Sequence, residues 1–180
     1  MTDIKMNVPF PLDDEGFFRR ECPFCFREFK IKLKEDELSD LAQGVSSTFM
    51  VDSEPEPSSE DTEDQAADFF CPYCGQSSAA GTWWTQEQLA YIQVHTKNIV
   101  AKIVNENFIG PLKRNFGQNR SGGLISIKVT AKELEQTEPW IAPEANDMKV
   151  FDLECCQRSL KIDEAWRGTV HCFFCGFPHG

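Results

Sequence analysis

The sequence of 180 residues predicts a small α+β fold, in which two β-hairpin modules are joined by one long helix and a short antiparallel sheet. Two observations lead to this expectation. Cysteine pairs recur in both halves of the chain, beside short stretches in which apolar and polar residues alternate as they do in strands. Between the halves, apolar residues recur at helical spacing from Leu89 to Phe108. A chain of this length forms one ordinary domain or two small ones.

The first four cysteines form two C-x-x-C pairs, Cys22-Pro-Phe-Cys25 and Cys71-Pro-Tyr-Cys74. Each pair can fold into a tight turn, here called a knuckle, that points two sulfurs at one centre. The sequence shows no secretion signal and no apolar run long enough to span a membrane, so we expect a cytoplasmic protein whose thiols stay reduced. The pattern therefore predicts a structural zinc site at Cys22, Cys25, Cys71 and Cys74.

The last four cysteines predict a second zinc site, made of Cys155, Cys156, Cys172 and Cys175. This group departs from the usual spacing, because Leu153 stands where the first thiol of a C-x-x-C pair is expected. We rank Cys155 first as the fourth ligand, His179 second and His171 third. His171 ranks last because it directly precedes Cys172 on a predicted strand and should point to the opposite face. We expect two zinc ions per chain.

The two halves align as degenerate repeats. Cys25 precedes Ile31 by six positions, and Cys156 precedes Ile162 by six. The residues between them follow a similar pattern in both halves. We infer that one hairpin module is repeated in a diverged form.

Strands are predicted around both cysteine groups. Phe29, Ile31 and Leu33 alternate with charged residues, which is typical of a half-buried strand that leaves the first knuckle. Residues 68–70 lead back into the second knuckle, so we expect these two strands to pair antiparallel. In the C-terminal half, a strand over 149–153 precedes the cysteines, and 160–162 and 168–172 predict a short hairpin.

An acidic segment interrupts the first hairpin. Residues 52–68 contain eight acidic and no basic side chains, so this segment accounts for most of the net charge of -11. Such a composition cannot bury enough apolar surface to order itself, which predicts a disordered insertion over about residues 45–68. We expect a solvated loop, and the alternative is an acidic arm that covers a basic surface.

The longest predicted element is a helix over residues 86–109. Thr85 and Gln88 match a capping box at its start, and Gly110-Pro111 is expected to end it. A basic loop over 113–120 and a strand over 124–129 follow. These elements predict three segments: an N-terminal module over 1–81, the helix with its basic loop over 82–120, and a β-rich C-terminal module over 121–180.

Cys-Pro-x-Cys, a hairpin and then Cys-Pro-x-Cys-Gly resemble the zinc ribbons of the rubredoxin-like and TFIIB-type class. The resemblance covers about residues 18–81 and 150–180, and it leaves the middle third of the chain uncovered. The chain is most similar to uncharacterised bacterial proteins with two ribbons. The resemblance implies a metal-held ribbon fold, but it implies no single function, because such ribbons serve in transcription, ribosomal, enzymatic and adaptor proteins.

Three functions fit this sequence. We expect a non-enzymatic adaptor or regulatory subunit that binds a protein partner, because no catalytic triad, phosphate-binding loop or small-molecule site is recognisable. The alternative is a nucleic-acid-binding ribbon protein, against which the net acidity counts. Its candidate phosphate contacts are Lys30, Lys32, Lys34, Lys113, Arg114 and Arg120. A rubredoxin-like electron carrier, with iron on the first four thiolates, is a minor alternative.

Four aromatic residues are of the type that anchors protein interfaces. They are Trp83, Trp84, Trp140 and Phe177. We expect core or hairpin packing to be the more common fate of any one of them.

Overall fold

The structure is a computed structural model that describes residues 8–33, 68–116 and 131–180. The chain divides into two compact units. The first, here called the cysteine unit, is Phe10–Gln86 with Ala142–Gly180, and it contains all eight cysteines. The second, the helical unit, is Met1–Pro9 with Glu87–Ile141. The three predicted segments stay a prediction, and most of the acidic insertion, up to residue 67, lies outside the described residues.

Short antiparallel strands build the cysteine unit. In chain order they are β1 Phe18–Glu21, β2 Glu28–Ile31, β3 Asp68–Phe70, β4 Ser77–Ala79, β5 Lys149–Leu153, β6 Arg158–Ile162, β7 Val170–His171 and β8 Pro178–His179. A single 3-10 turn, Ala80–Thr82, follows β4. Together with one long helix in the other unit, these strands confirm the predicted small α+β fold.

A four-stranded sheet in the order β1-β2-β6-β5 forms the centre of the cysteine unit. Its two outer pairs are hairpins, with Glu21 opposite Glu28 in the first and Leu153 opposite Arg158 in the second. The hairpins join through β2 and β6, where residue 31 lies opposite residue 160. The degenerate repeats of the sequence therefore meet edge to edge in one sheet.

The strand partners predicted from the sequence are wrong in both halves. β3 pairs with β4 instead of β2, and β7 pairs with β8 instead of β6. Each of the knuckles at Cys22, Cys71 and Cys172 reverses the chain by itself, so the segments on its two sides bond to each other. Both edges of β2 are also occupied already, one by β1 and the other by β6.

Aromatic side chains from both repeats pack into one shared core. Phe29 of β2 is fully buried, and its ring centroid lies 5.9 Å from that of Trp83 and 5.4 Å from that of Phe173. Phe173 directly follows Cys172, so a side chain of the second cysteine group packs on a strand of the first repeat. Trp83 and Phe173 also contact each other edge to face, with 5.4 Å between centroids.

Polar contacts also connect the two repeats. The Tyr73 hydroxyl donates a hydrogen bond to the Glu28 carbonyl at 2.8 Å and accepts one from the Asp163 amide at 2.9 Å. The His171 amide donates to the Pro72 carbonyl at 2.9 Å. Because groups from one repeat satisfy buried polar groups of the other, we expect the cysteine unit to unfold as one cooperative body.

Two lysines face each other at the centre of the sheet. Lys30 of β2 lies opposite Lys161 of β6, and both are buried. Like charges directly opposite one another destabilise a sheet. The Asp13 carboxylate offsets this repulsion, since it lies 2.8 Å from the Lys161 ammonium and 3.5 Å from that of Lys30. Lys30 also pairs with Glu144 and Asp147, at 3.0 and 2.9 Å. The junction between the repeats therefore contains a buried ion network.

Asp13 is held ionised in this network. Burial by itself raises the pKa of Asp13, but hydrogen bonds from Lys161 and from the Phe17 and Glu15 amides hold the pKa below its usual value. A carboxylate whose pKa is lower in the folded state contributes stability at neutral pH, and this contribution is lost as the pH falls through the folded pKa. The network should therefore weaken in acid.

Replacing Asp13 tests this network. Asp13→Asn should lower the free energy of unfolding by about 3–5 kcal/mol at pH 7, because two buried ammonium groups then face each other without their shared anion. Urea denaturation measures this change. Asp14→Asn is the matched control, since Asp14 is exposed, and it should change stability by less than about 0.5 kcal/mol. Equal stability of the two variants would contradict the proposed role of Asp13.

The helical unit contains one long helix with a wider turn along its length. α1 spans Gln86–Val104, a π-helical turn spans Asn105–Ile109, and α2 spans Gly110–Phe116. The predicted start after Thr85 is confirmed, whereas the predicted end at Gly110-Pro111 is wrong. Pro111 lies inside this continuous helical run and has no amide hydrogen to donate to the preceding turn, and the wider π-helical turn directly precedes it, as is common where regular helical bonding is interrupted.

Within the described parts of the chain, no helix combines the length and the apolar character needed to cross a membrane. The predicted strand over 124–129 lies outside the described residues.

Candidate metal centres

The four N-terminal cysteines converge on one point, here called site 1. All four sulfurs lie within 4.8 Å of one another. The distance is 3.7 Å between Cys22 Sγ and Cys74 Sγ, and also 3.7 Å between Cys25 Sγ and Cys71 Sγ. Four sulfurs bound tetrahedrally to zinc at about 2.3 Å lie about 3.8 Å apart. The geometry of site 1 therefore fits a tetrahedral metal ion.

Backbone amides hold the sulfurs of both knuckles in site 1. Cys22 Sγ accepts hydrogen bonds from the amides of Phe24 and Cys25, at 3.4 and 3.5 Å. Cys71 Sγ accepts them from the amides two and three positions later, at 3.3 and 3.5 Å. Amide hydrogens that point at a sulfur favour its thiolate form, which is the form that binds metal. The same local fold thus prepares both knuckles for a metal ion.

A residue in the left-handed backbone region closes each knuckle. These residues are Phe26, Gly75, Gln157 and Gly176, with φ of 56°, 71°, 51° and 74°. Glycine adopts this conformation readily, whereas other residues do so at a cost. Gln157 directly follows Cys156 as Phe26 follows Cys25, which supports the register in which Leu153 replaces the first cysteine.

The four C-terminal cysteines also form one group, here called site 2. Cys155 Sγ lies 3.5 Å from Cys175 Sγ, and Cys156 Sγ lies 3.7 Å from Cys172 Sγ. These distances are also close to the spacing of about 3.8 Å expected around a tetrahedral zinc ion. The two adjacent cysteines therefore both reach the same centre.

The two histidines considered as ligands lie outside this four-sulfur group. His179 Nε2 lies 3.2 Å from Cys155 Sγ, where it can hydrogen-bond that sulfur without replacing it. The ring of His171 lies beside Gly75 of site 1, 3.1 Å from the position that a Cβ there would take. These distances are compatible with Cys155 as the fourth ligand of site 2, and the ranking of the two histidines stays a prediction.

Each group contains at least one thiol whose pKa lies above its usual value, so that thiol keeps its proton unless a cation replaces it. In site 1, burial and the neighbouring thiol Cys22 raise the pKa of Cys71 well above its usual value. In site 2, desolvation and the neighbouring thiols raise the pKa of Cys156 to about 11 and also raise that of Cys155. A divalent metal supplies the missing positive charge and displaces the protons, so metal binding should weaken as the pH falls.

The candidate nucleic-acid contacts differ in their exposure and in the partners they already have. Lys30 is fully buried in the ion network of the sheet and cannot meet a phosphate in this fold. Lys113 forms an ion pair of 2.6 Å within the helical unit, and Arg114 bonds a carbonyl of its own helix. Lys32 is exposed. Lys34 and Arg120 lie outside the described residues.

The interface aromatics suggested by the sequence divide into two kinds. Trp83 and Trp84 are buried, whereas Trp140 and Phe177 are exposed. Sequence reasoning missed Phe26, whose side chain is 72% exposed. A comparison of the knuckles would have identified it, because glycine follows the second cysteine in two of the other knuckles.

No protein-family model, no curated protein and no solved structure matches the chain. The assignment of the two metal centres therefore rests on the distances and burial of the cysteines.

Metal content distinguishes the ligands of site 2. Cys155→Ser should reduce the bound metal from about two ions per chain to about one, because three sulfurs remain in the group. His179→Ala should retain both ions, because its imidazole lies outside the four-sulfur group. Elemental analysis after a mild chelator wash measures the difference. If His179→Ala loses an ion and Cys155→Ser does not, His179 is the ligand and our assignment is wrong.

Proposed function

We propose that this chain is a non-enzymatic zinc-binding adaptor or regulatory subunit, and that its cysteine unit binds a protein partner. Zinc suits both sites because it prefers a tetrahedral shell of thiolates. Four cysteine ligands close such a shell and leave no position for a substrate, which is typical of structural zinc. A cytoplasmic setting, in which thiols stay reduced, belongs to the same proposal.

Phe26 is the observation that carries the proposed partner binding. It occupies a left-handed position with φ of 56°, where Gly75 and Gly176 stand in two other knuckles. A non-glycine residue there is disfavoured by about 1–2 kcal/mol. Packing does little to offset this strain, because the Phe26 side chain is 72% exposed. Gln157 carries similar strain in the other repeat, so the exposed aromatic ring at a strained position is what supports a functional role for Phe26.

A second exposed aromatic residue lies close to Phe26 in the chain. Phe24 is 52% exposed, and the two residues flank the metal ligand Cys25. Aromatic side chains are enriched at protein interfaces, because they bury a large area while few rotatable bonds become fixed. We call Phe24 and Phe26 the knuckle surface and propose that it is the anchor for the partner. The zinc ion of site 1 would hold this surface rigid.

The two alternatives receive less support. Nucleic-acid binding loses one candidate contact because Lys30 is buried, and Lys113 already has an anionic partner. The same four thiolates also accept iron, as an electron carrier would require. A purified protein coloured by iron would favour the electron carrier over our proposal.

Removing the Phe26 side chain should separate binding from stability. Phe26→Gly should raise the free energy of unfolding by up to about 1 kcal/mol, since relief of strain exceeds the entropy cost of glycine. It should also reduce partner recovery about tenfold or more, as the loss of an aromatic interface anchor does. Affinity capture of the tagged full chain from the organism that encodes it, with quantitative mass spectrometry, measures recovery.

Gln157→Gly is the matched control for this experiment. Gln157 takes the corresponding left-handed position in the other repeat, with φ of 51°, so the change relieves similar strain without removing an aromatic ring. Its partner recovery should equal that of the unchanged chain. Two results would contradict the proposed function. One is equal partner recovery by the unchanged chain and both variants, and the other is that no protein is recovered with the unchanged chain in an amount close to that of the chain itself.

A further inference from the structure

Two asparagines of the helical unit clamp a separate stretch of backbone. Asn98 Nδ2 donates a hydrogen bond to the Thr137 carbonyl at 2.6 Å, and the Thr137 amide donates to Asn98 Oδ1 at 2.9 Å. Asn105 holds Leu134 in the same way, with both distances 2.8 Å. Each side-chain amide therefore makes the paired bonds that a neighbouring strand would make. The clamps contact the main chain and not the side chains of Leu134 and Thr137.

The spacing of the clamps matches an extended chain. Asn98 and Asn105 are seven residues apart, which is about two helical turns and about 10.5 Å along the axis. Leu134 and Thr137 are three residues apart and must cover a similar distance, which requires an extended chain. The polyproline II conformation fits, because it rises about 3.1 Å per residue and its three-residue repeat turns both main-chain groups to the same side, whereas a strand repeats every two residues. The segment runs antiparallel to the helix, because the earlier asparagine holds the later residue. The pair therefore selects extended backbone.

A third contact adds a charge requirement. Lys113 Nζ lies 2.6 Å from the Glu133 carboxylate, next to the clamped Leu134. Lys113 follows Asn105 by eight residues, one more than two ordinary turns. The π-helical turn supplies the extra residue, and the Gly110 amide accordingly donates to the Asn105 carbonyl five positions earlier. Such turns are rare and are frequent at functional sites. Here the turn places Lys113 on the same side of the helix as the two asparagines, where it contacts Glu133.

The segment that fills the clamps packs poorly. Residues 132–138 are all exposed, and the apolar side chain of Leu134 is 47% exposed. The contacts that hold the segment are exposed hydrogen bonds and one exposed ion pair, which contribute little stability in water. Segments held in this way open easily. Another extended chain can form the same main-chain bonds, since these do not depend on its sequence.

We propose that α1, the π-helical turn and α2 form a receptor for an extended segment of a partner protein. Residues 133–137 of the chain occupy this receptor as a displaceable internal ligand. The partner segment is held through its main chain at two positions three residues apart, and an acidic side chain directly before the first position meets Lys113. This receptor belongs to the helical unit, so the proposal goes beyond the knuckle surface and stands if that surface binds nothing.

The test uses the full chain and a fluorescein-labelled peptide that copies residues 131–141. Leu134→Pro and Thr137→Pro together remove the two amide donors of the internal ligand, while proline is compatible with an extended backbone. This opened chain should bind the peptide about tenfold or more tightly than the unchanged chain, because the internal ligand no longer competes. Fluorescence anisotropy measures binding, and an unchanged circular dichroism spectrum shows that the helix is intact.

Matched variants of the opened chain identify the clamps. Asn98→Ala with Asn105→Ala should weaken peptide binding by about tenfold or more, because four hydrogen bonds are lost. Asn107→Ala is the control, since its side chain donates to the Ile103 carbonyl of its own helix at 2.9 Å, and it should leave binding unchanged. A peptide with lysine at the position of Glu133 should bind several-fold more weakly. A peptide with alanine at its other polar positions should bind equally well.

Three results would overturn the proposal. The first is no peptide binding to the opened chain, and the second is binding that the two asparagine replacements leave unchanged. In the third, residues 133–137 of a second copy of this chain occupy the receptor. If light scattering finds the unchanged chain to be a dimer that dissociates when Asn98 and Asn105 are replaced, the segment is exchanged between copies and no partner segment is required. A monomer supports the proposal.

Discussion

The convergence of four sulfurs on one point is the constraint on which the cysteine unit depends. Thiolates crowded together repel one another unless a cation binds them, and a bound metal holds its knuckles in a fixed orientation. Each knuckle reverses the chain, so its orientation sets the direction of the flanking segments. Because β2 and β6 join the repeats in one sheet, metal ions bound at the two candidate centres would stabilise a single aromatic core. Phe29 at its centre contacts residues from both halves of the chain.

Much of the metal chemistry can be predicted from the sequence, because the spacing of ligands in a knuckle is a local property of the chain. The strand partners cannot be predicted from the sequence, because the alternation of apolar and polar residues shows that a strand is half-buried but not which strand lies beside it. The burial of Lys30 could not be predicted from the sequence either. A lysine in an alternating strand is usually exposed, and its burial here depends on Asp13 and on acidic residues from the other half of the chain. The asparagine clamps carry no sequence signal, since their partners are main-chain atoms.

The two proposed binding surfaces use different physical interactions. The knuckle surface offers exposed aromatic rings, whose burial supplies affinity and depends on the shape of the partner. The clamps of Asn98 and Asn105 recognise an extended main chain, which tolerates many sequences and is selective mainly through the charge at Lys113. A protein with both surfaces would combine one rigid anchor with one adaptable site. This combination suits an adaptor that joins different partners.

We propose that each chain binds two zinc ions, each in a shell of four sulfurs. X-ray absorption at the zinc edge, on the purified full chain with its metal content measured, tests this claim most directly. We predict an average of about four sulfurs per zinc at about 2.3 Å and no nitrogen ligand, with about two zinc ions per chain. A nitrogen or oxygen ligand at about 2.0 Å in a substantial fraction of the shell, or absence of bound zinc, would contradict it.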